Sequence, residues 1–183
     1  MKTNNTNTTT QNLKLEDILQ EALKLHQAGN FDAAAILYNK ILEKQPYNID
    51  AISLLGTLNL QTGNLDEARV FLKKSLALKP ENAATHNNLG SALQASSRFK
   101  EAITSYKQAI ELKPDYDEAY YNLGNAYQAV GQFENAIASY KQAITLNPND
   151  ADIHYSLGMV YGAKGMVKEM QEEMTISRQL KGN

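Results

Sequence analysis

The only four prolines of the chain are Pro46, Pro80, Pro114 and Pro148, and each follows the last by 34 residues. Other landmarks keep the same phase: SLLG (Ser53 to Gly56), NNLG (Asn87 to Gly90), YNLG (Tyr121 to Gly124) and YSLG (Tyr155 to Gly158), with Ala68, Ala102 and Ala136 later in each period. A fixed period of this length marks a stacked array, in which each unit leaves an apolar face for its neighbour to cover.

Within one period the apolar pattern resolves into two helices. From Tyr116 to Ala129, the residues Ala119, Tyr120, Leu123, Ala126 and Tyr127 follow three-and-four spacing, and Gly131 is placed to end the helix. From Phe133 to Leu146, Phe133, Ala136, Ile137, Tyr140, Ala143 and Ile144 repeat that spacing before Pro148 stops it. The unit is a helical hairpin. A glycine inside a helix costs about 1 kcal/mol relative to alanine, so Gly124 implies a close approach. Ala136, the small residue of the second helix, is its expected partner, with Tyr127 and Tyr140 filling the space beside them.

These residues resemble the tetratricopeptide repeat pattern of an aromatic, Leu-Gly and Tyr on the first helix, then Ala, an aromatic and a terminal Pro. Tyr120, Leu123, Gly124, Tyr127, Ala136, Tyr140 and Pro148 match it in order, as do His86, Leu89, Gly90, Leu93, Ala102, Tyr106, Ala109 and Pro114. The resemblance implies an all-α fold, a right-handed superhelical solenoid of five helix-turn-helix repeats over residues 15–48, 49–82, 83–116, 117–150 and 151–183. Residues 1–14, rich in Asn and Thr, are expected to form a disordered tail. Both ends depart from the pattern. Glu21 and Ala22 fill the Leu-Gly slots of the first repeat, while Met170 and Met174 replace the alanine and the aromatic of the fifth. Met170 against Gly158 is expected to splay the last helix, which then serves as a C-terminal cap.

Composition narrows the function. A net charge of −2 provides no basic footprint for nucleic acid. The absence of cysteine excludes disulfides, thiol catalysis and cysteine-ligated zinc. No apolar run suggests membrane insertion, and MKTNNTNTTTQN lacks the core of a secretory signal, so a cytoplasmic location is expected. The pattern Asn4-Asn5-Thr6 would accept a glycan only in a secreted chain. His86 and His154 fall in the aromatic slot two repeats apart and read as packing residues rather than metal ligands. Asp66 with Glu67, and Glu172 with Glu173, read as solvated faces. No nucleophile with a base and no phosphate loop can be assembled. The expectation is a non-enzyme with no cofactor and no metal.

In tetratricopeptide proteins the first helices line a concave groove. Carried across by position, the groove comprises Asn87, Asn88, Ser91 and Gln94, then Tyr121, Asn122, Asn125 and Gln128, then Tyr155, Ser156 and Met159. Asp50, Glu118 and Asp152 recur near helix starts, where capping is their expected role. Asn88 and Asn122 share one repeat position, and the repeats are similar to those of the O-linked N-acetylglucosamine transferase arm, where asparagine at that place holds peptide backbone. The members that clamp chaperone carboxyl termini need groove lysines and an arginine, which are missing here. The resemblance therefore implies an adaptor or scaffold that binds an extended protein or peptide segment. The alternatives are a self-associating scaffold and a regulatory arm of a glycosyltransferase-type complex. Lys107 and Lys141, which also share one repeat position, are expected on the outer side and without a role in binding.

Overall fold

The computed structural model describes residues 5–182, with side chains from residue 15 onward. Every regular element among them is a helix: α1 (Asn5–Gln27), α2 (Phe31–Lys44), α3 (Ile49–Gln61), α4 (Leu65–Leu78), α5 (Ala83–Ala95), α6 (Phe99–Leu112), α7 (Asp117–Ala129), α8 (Phe133–Leu146), α9 (Ala151–Ala163) and α10 (Val167–Lys181). Consecutive helices pack in pairs as five antiparallel hairpins. They fall into two compact units. The first ends at Pro80 and holds α1 to α4, and the second starts at Glu81 and holds α5 to α10. The stretch expected as a disordered tail enters α1 from Asn5 onward, and residues 1–4 lie outside the described residues.

Each hairpin turn has the same local cause. Gly29, Gly63, Gly131 and Gly165 adopt φ between 74° and 79°, and the next residue's N–H returns to the carbonyl five positions back, as Gln132 does to Tyr127 at 2.9 Å. This closes the last turn of the first helix and reverses the chain. In the third hairpin Ser97 takes the same left-handed conformation at φ 58°, and Arg98 N–H bonds to Leu93 O at 2.8 Å. The prolines sit one residue past the C-caps Gln45, Lys79, Lys113 and Asn147, where the helix cannot continue. Asn48, Asn82 and Asp150 then cap the next first helix by accepting from its free N–H groups.

Small residues set the depth of each hairpin. Ala34, Ala68, Ala102 and Ala136 are all fully buried, and beside them Tyr38, Leu72, Tyr106 and Tyr140 occupy one repeat position with no exposed surface. The large ring makes the closest approach. A Cβ on Gly124 would lie 2.5 Å from Tyr140 Cε1, so the glycine makes room for this ring rather than for Ala136. Gly90 accommodates Tyr106 in the same way, and Gly56 accommodates Leu72.

The last hairpin is not splayed. Met170 faces Gly162, where its sulfur would lie 2.8 Å from an added Cβ, and Gly158 faces Met174 and Glu173. A flexible thioether fills the space that a tyrosine ring occupies elsewhere. The α10 helix packs along α9 as α6 does along α5 and α8 along α7. Ser177 Oγ donates to Ala151 O at 2.8 Å, and the ring of His154 bridges Glu173 Oε2 at 2.6 Å and Pro148 O at 3.1 Å.

Candidate functional site

In the second unit the first helices meet directly, α5 with α7 and α7 with α9. They form one continuous face, and none of the three contains a lysine or arginine. Asn88, Ser91, Gln94, Tyr121, Asn122, Asn125, Gln128 and Ser156 are half-buried there. Tyr155 and Met159 are the most open large side chains of the face, 47% and 46% exposed.

Asn87 is a correction to the expected groove. It is 1% exposed, with its Nδ2 donating to Glu118 Oε1 at 3.0 Å and its Oδ1 accepting from Asn122 Nδ2 at 3.1 Å. This buried amide ties the third repeat to the fourth and supports Asn122 from below. Glu118 is therefore a partner of Asn87 rather than a cap. Asp152 likewise pairs with Lys181 at 2.8 Å, a hydrogen bond that raises the lysine pKa. The same ammonium lies 5.8 Å from the Tyr155 ring centroid, at the edge of the face.

Gln94, Asn125 and Gln128 are held by buried hydroxyls. Tyr140 Oη lies 2.7 Å from Asn125 Oδ1 and 2.8 Å from Gln128 Oε1, and Tyr106 Oη lies 3.3 Å from both Ser91 Oγ and Gln94 Oε1. Burial pushes the Tyr106 phenol up to about 12 and raises that of Tyr140 as well. Both therefore keep their proton and act as neutral hydroxyls. The Tyr121 hydroxyl reaches Ser156 Oγ at 3.5 Å, and its ring tilts against Tyr140 with centroids 6.0 Å apart.

Residues 25–89 match a family model described as tetratricopeptide repeat, and residues 93–131 and 129–165 match one described as TPR repeat. The chain carries tetratricopeptide repeats. Its fold is similar to that of solved tetratricopeptide structures. A crystal structure of MamA is 29% identical with a TM-score of 0.82, covering 88% of this chain and 94% of that one. MamA from Desulfovibrio magneticus RS-1 is 21% identical with a TM-score of 0.85, over 92% and 95%. TTC0263 of Thermus thermophilus, a thermophilic TPR protein, is 23% identical with a TM-score of 0.72, over 91% of each chain. No curated protein matches the chain in sequence. Tetratricopeptide repeats are protein-interaction modules, and the expectation of a protein partner rests on that.

The first tetratricopeptide unit presents a different surface at the equivalent positions. Leu23, His26, Phe31, Leu54 and Gln61 line an open pocket of about 500 Å³. Leu54 stands where the second unit has Asn88 and Asn122, so this pocket is apolar where that face is amide-rich. His26 is fully engaged, with Nδ1 3.1 Å from Tyr38 Oη and Nε2 2.8 Å from Gln61 Oε1. The pocket was not foreseen from sequence, although Leu23, His26 and Leu54 sit at the positions that define the groove in later repeats.

Lys107 and Lys141 lie over the rings of Tyr127 and Tyr161, each on the following repeat, at 5.7 and 5.9 Å. They contribute to packing between repeats. His86 and His154 lie two repeats apart, and among the described residues no cluster of three or more His, Asp or Glu could hold a metal ion. No described helix is long and apolar enough to cross a membrane.

Proposed function

We propose that the face formed by α5, α7 and α9 binds an extended, neutral or basic peptide segment. The observation that carries this reading is a continuous surface of amides, hydroxyls and tyrosines on helices without any lysine or arginine. Side-chain amides can donate to a carbonyl and accept from an N–H together, which suits main-chain recognition without strong side-chain preference. Asn88 and Asn122, at one repeat position as in the O-linked N-acetylglucosamine transferase arm, support the same reading. Tyr155 and Met159 supply open apolar surface for one or two side chains of the ligand. Acidic ligands are disfavoured, because Glu118 and Asp152 border the face and Lys181 is already paired.

The test is selection of displayed random peptides on the full chain, followed by affinity measurement for the selected sequences. Tyr155→Ala with Met159→Ala should remove most of the binding while leaving the melting temperature almost unchanged. Gln108→Ala with Gln142→Ala, on the outer helices, should leave it intact. Retained binding in the first variant, or loss in the second, would place the ligand elsewhere.

A second reading, self-association, is favoured by one observation in the first unit. Ile36 and Val70 occupy the same repeat position on α2 and α4 and are 66% and 65% exposed. The reading requires a molecular mass that rises with protein concentration and falls back in the variant Ile36→Ser with Val70→Ser.

A further inference from the structure

The last hairpin holds a cation against the end of the amide face. Asp152 and Tyr155 are one turn apart on α9, so their side chains are neighbours on the helix surface, and Met159 follows one turn further along the same ridge. The Lys181 ammonium, at the end of α10, stands 2.8 Å from Asp152 Oδ1 and 5.8 Å from the Tyr155 ring centroid. A carboxylate and the negative face of an aromatic ring are the two elements that together recognise an ammonium or guanidinium group. The start of α9 and the end of α10 lie side by side, with Ser177 Oγ donating to Ala151 O at 2.8 Å. Their opposite dipole ends offset each other, and the carboxylate decides the sign of the place. The neighbouring Asp150 is occupied in capping α9, where it accepts from the N–H groups of Asp152 and Ile153.

Lys181 occupies this place without being locked into it. Its side chain is 58% exposed, and that of Asp152 is 70% exposed. An ion pair so open to water contributes little stability, and the flexible stem of a lysine lets its ammonium swing aside into solvent. The place is also continuous with the amide face. Ser156, next to Tyr155, lies 3.5 Å from the Tyr121 hydroxyl of α7, and Met159 is open beside it. No lysine or arginine on α5, α7 or α9 repels a second cation.

Building on the peptide reading above, we propose that Asp152 and Tyr155 form a subsite for a lysine or arginine side chain of the bound peptide, and that Lys181 is a resident stand-in which the ligand displaces. The occupant is cationic because the group already seated there is cationic and the contacts it makes are those an incoming ammonium would make. Displacement exchanges one ammonium for another at the same carboxylate, so Asp152 is left paired, while Lys181 is rehydrated at the surface. Lys181 thereby lowers the affinity for basic peptides without blocking the face. The subsite narrows the ligand from a neutral or basic segment to a basic one, with its positive charge placed at the start of α9.

The test uses the full chain with Asp152→Asn and Lys181→Met, and has two arms. In the first, displayed peptides selected on the wild type are compared with versions in which each Lys or Arg is replaced in turn by norleucine. One such replacement should weaken binding to the wild type about three- to tenfold, and binding to Asp152→Asn by less than about twofold. Lys181→Met should bind the cationic peptide about two- to fivefold more tightly than the wild type and the norleucine peptide equally well. Selected peptides without Lys or Arg overturn the subsite, as does an equal norleucine effect in the wild type and Asp152→Asn. A Lys181 that merely latches the hairpin would lower the melting temperature of Lys181→Met and leave both affinities unchanged, which overturns the displacement. In the second arm, N-acetyl-lysine methylamide is titrated into Lys181→Met while the Tyr155 ring signals are followed by nuclear magnetic resonance. The signals should shift with this compound and not with N-acetyl-norleucine methylamide. Failure of every displayed peptide to bind overturns the peptide reading, and the titration then decides the cation subsite alone: unshifted ring signals overturn it.

Discussion

The Tyr140 ring occupies the space that a side chain on Gly124 would need: an added Cβ would lie 2.5 Å from Cε1, 2.6 Å from Cδ1 and 3.0 Å from Cζ. Both residues are buried and the ring is rigid, so it has nowhere to retreat. The replacement Gly124→Ala should therefore destabilise the chain by about 1 to 3 kcal/mol, even though alanine is the better helix former. At Gly158 the neighbour is the flexible Met174, whose Cε lies 3.2 Å from an added Cβ. Gly158→Ala should be neutral or stabilising by up to about 1 kcal/mol. Denaturant midpoints of the two variants check this, and the reverse order would refute the packing assignment.

Ser97 holds a φ of 58° where the other four hairpins have glycine. The left-handed region is costly for a residue with a Cβ, so Ser97→Gly should raise the unfolding free energy by about 1 kcal/mol, less the extra freedom glycine gains when unfolded. Equilibrium unfolding in urea measures it. No gain would mean that this turn differs from its four counterparts.

Lys107 and Lys141 each sit over a tyrosine of the following repeat. Lys141→Gln should lower stability by up to about 1 kcal/mol, and the effect should vanish in a background of Tyr161→Leu. A double-mutant cycle by thermal melting tests the coupling. Equal losses in both backgrounds would assign the effect to the lysine stem alone.

Alkaline pH should unfold the chain through its buried phenols. Burial lifts Tyr106 from the ordinary 10.0 to about 12, so the folded state holds that proton more tightly than the unfolded state. The associated stability is present in full below pH 10.0 and is lost as the pH rises towards about 12, on the order of 2 kcal/mol. Tyr140 shifts in the same direction. Melting temperature should fall steeply over that interval, less so in Tyr106→Phe, and tyrosinate absorbance should rise in step with loss of helicity. Titration of every tyrosine before any loss of helicity would contradict the burial.

The sequence by itself determined the hairpins and their phase. Gly131, the run from Phe133 to Leu146 and Pro148 act through local backbone preferences and the helical period, which depend on neighbours a few residues away. The face was legible to the same extent, because helix phase places Asn88, Tyr121, Gln128 and Met159 on one side. Tertiary structure decided the pairings across hairpins and repeats. Asn87 and Asn88 are adjacent in sequence, yet Asn87 is buried against Glu118, 31 residues on, while Asn88 remains on the face. The partner of Gly124 is the Tyr140 ring rather than Ala136, because ring size sets the closest approach. Lys141 reaches forward to the Tyr161 ring, and the Tyr140 hydroxyl reaches back 12 residues to Gln128. Such contacts depend on side-chain size and reach across the packed repeats, and a repeat period carries neither.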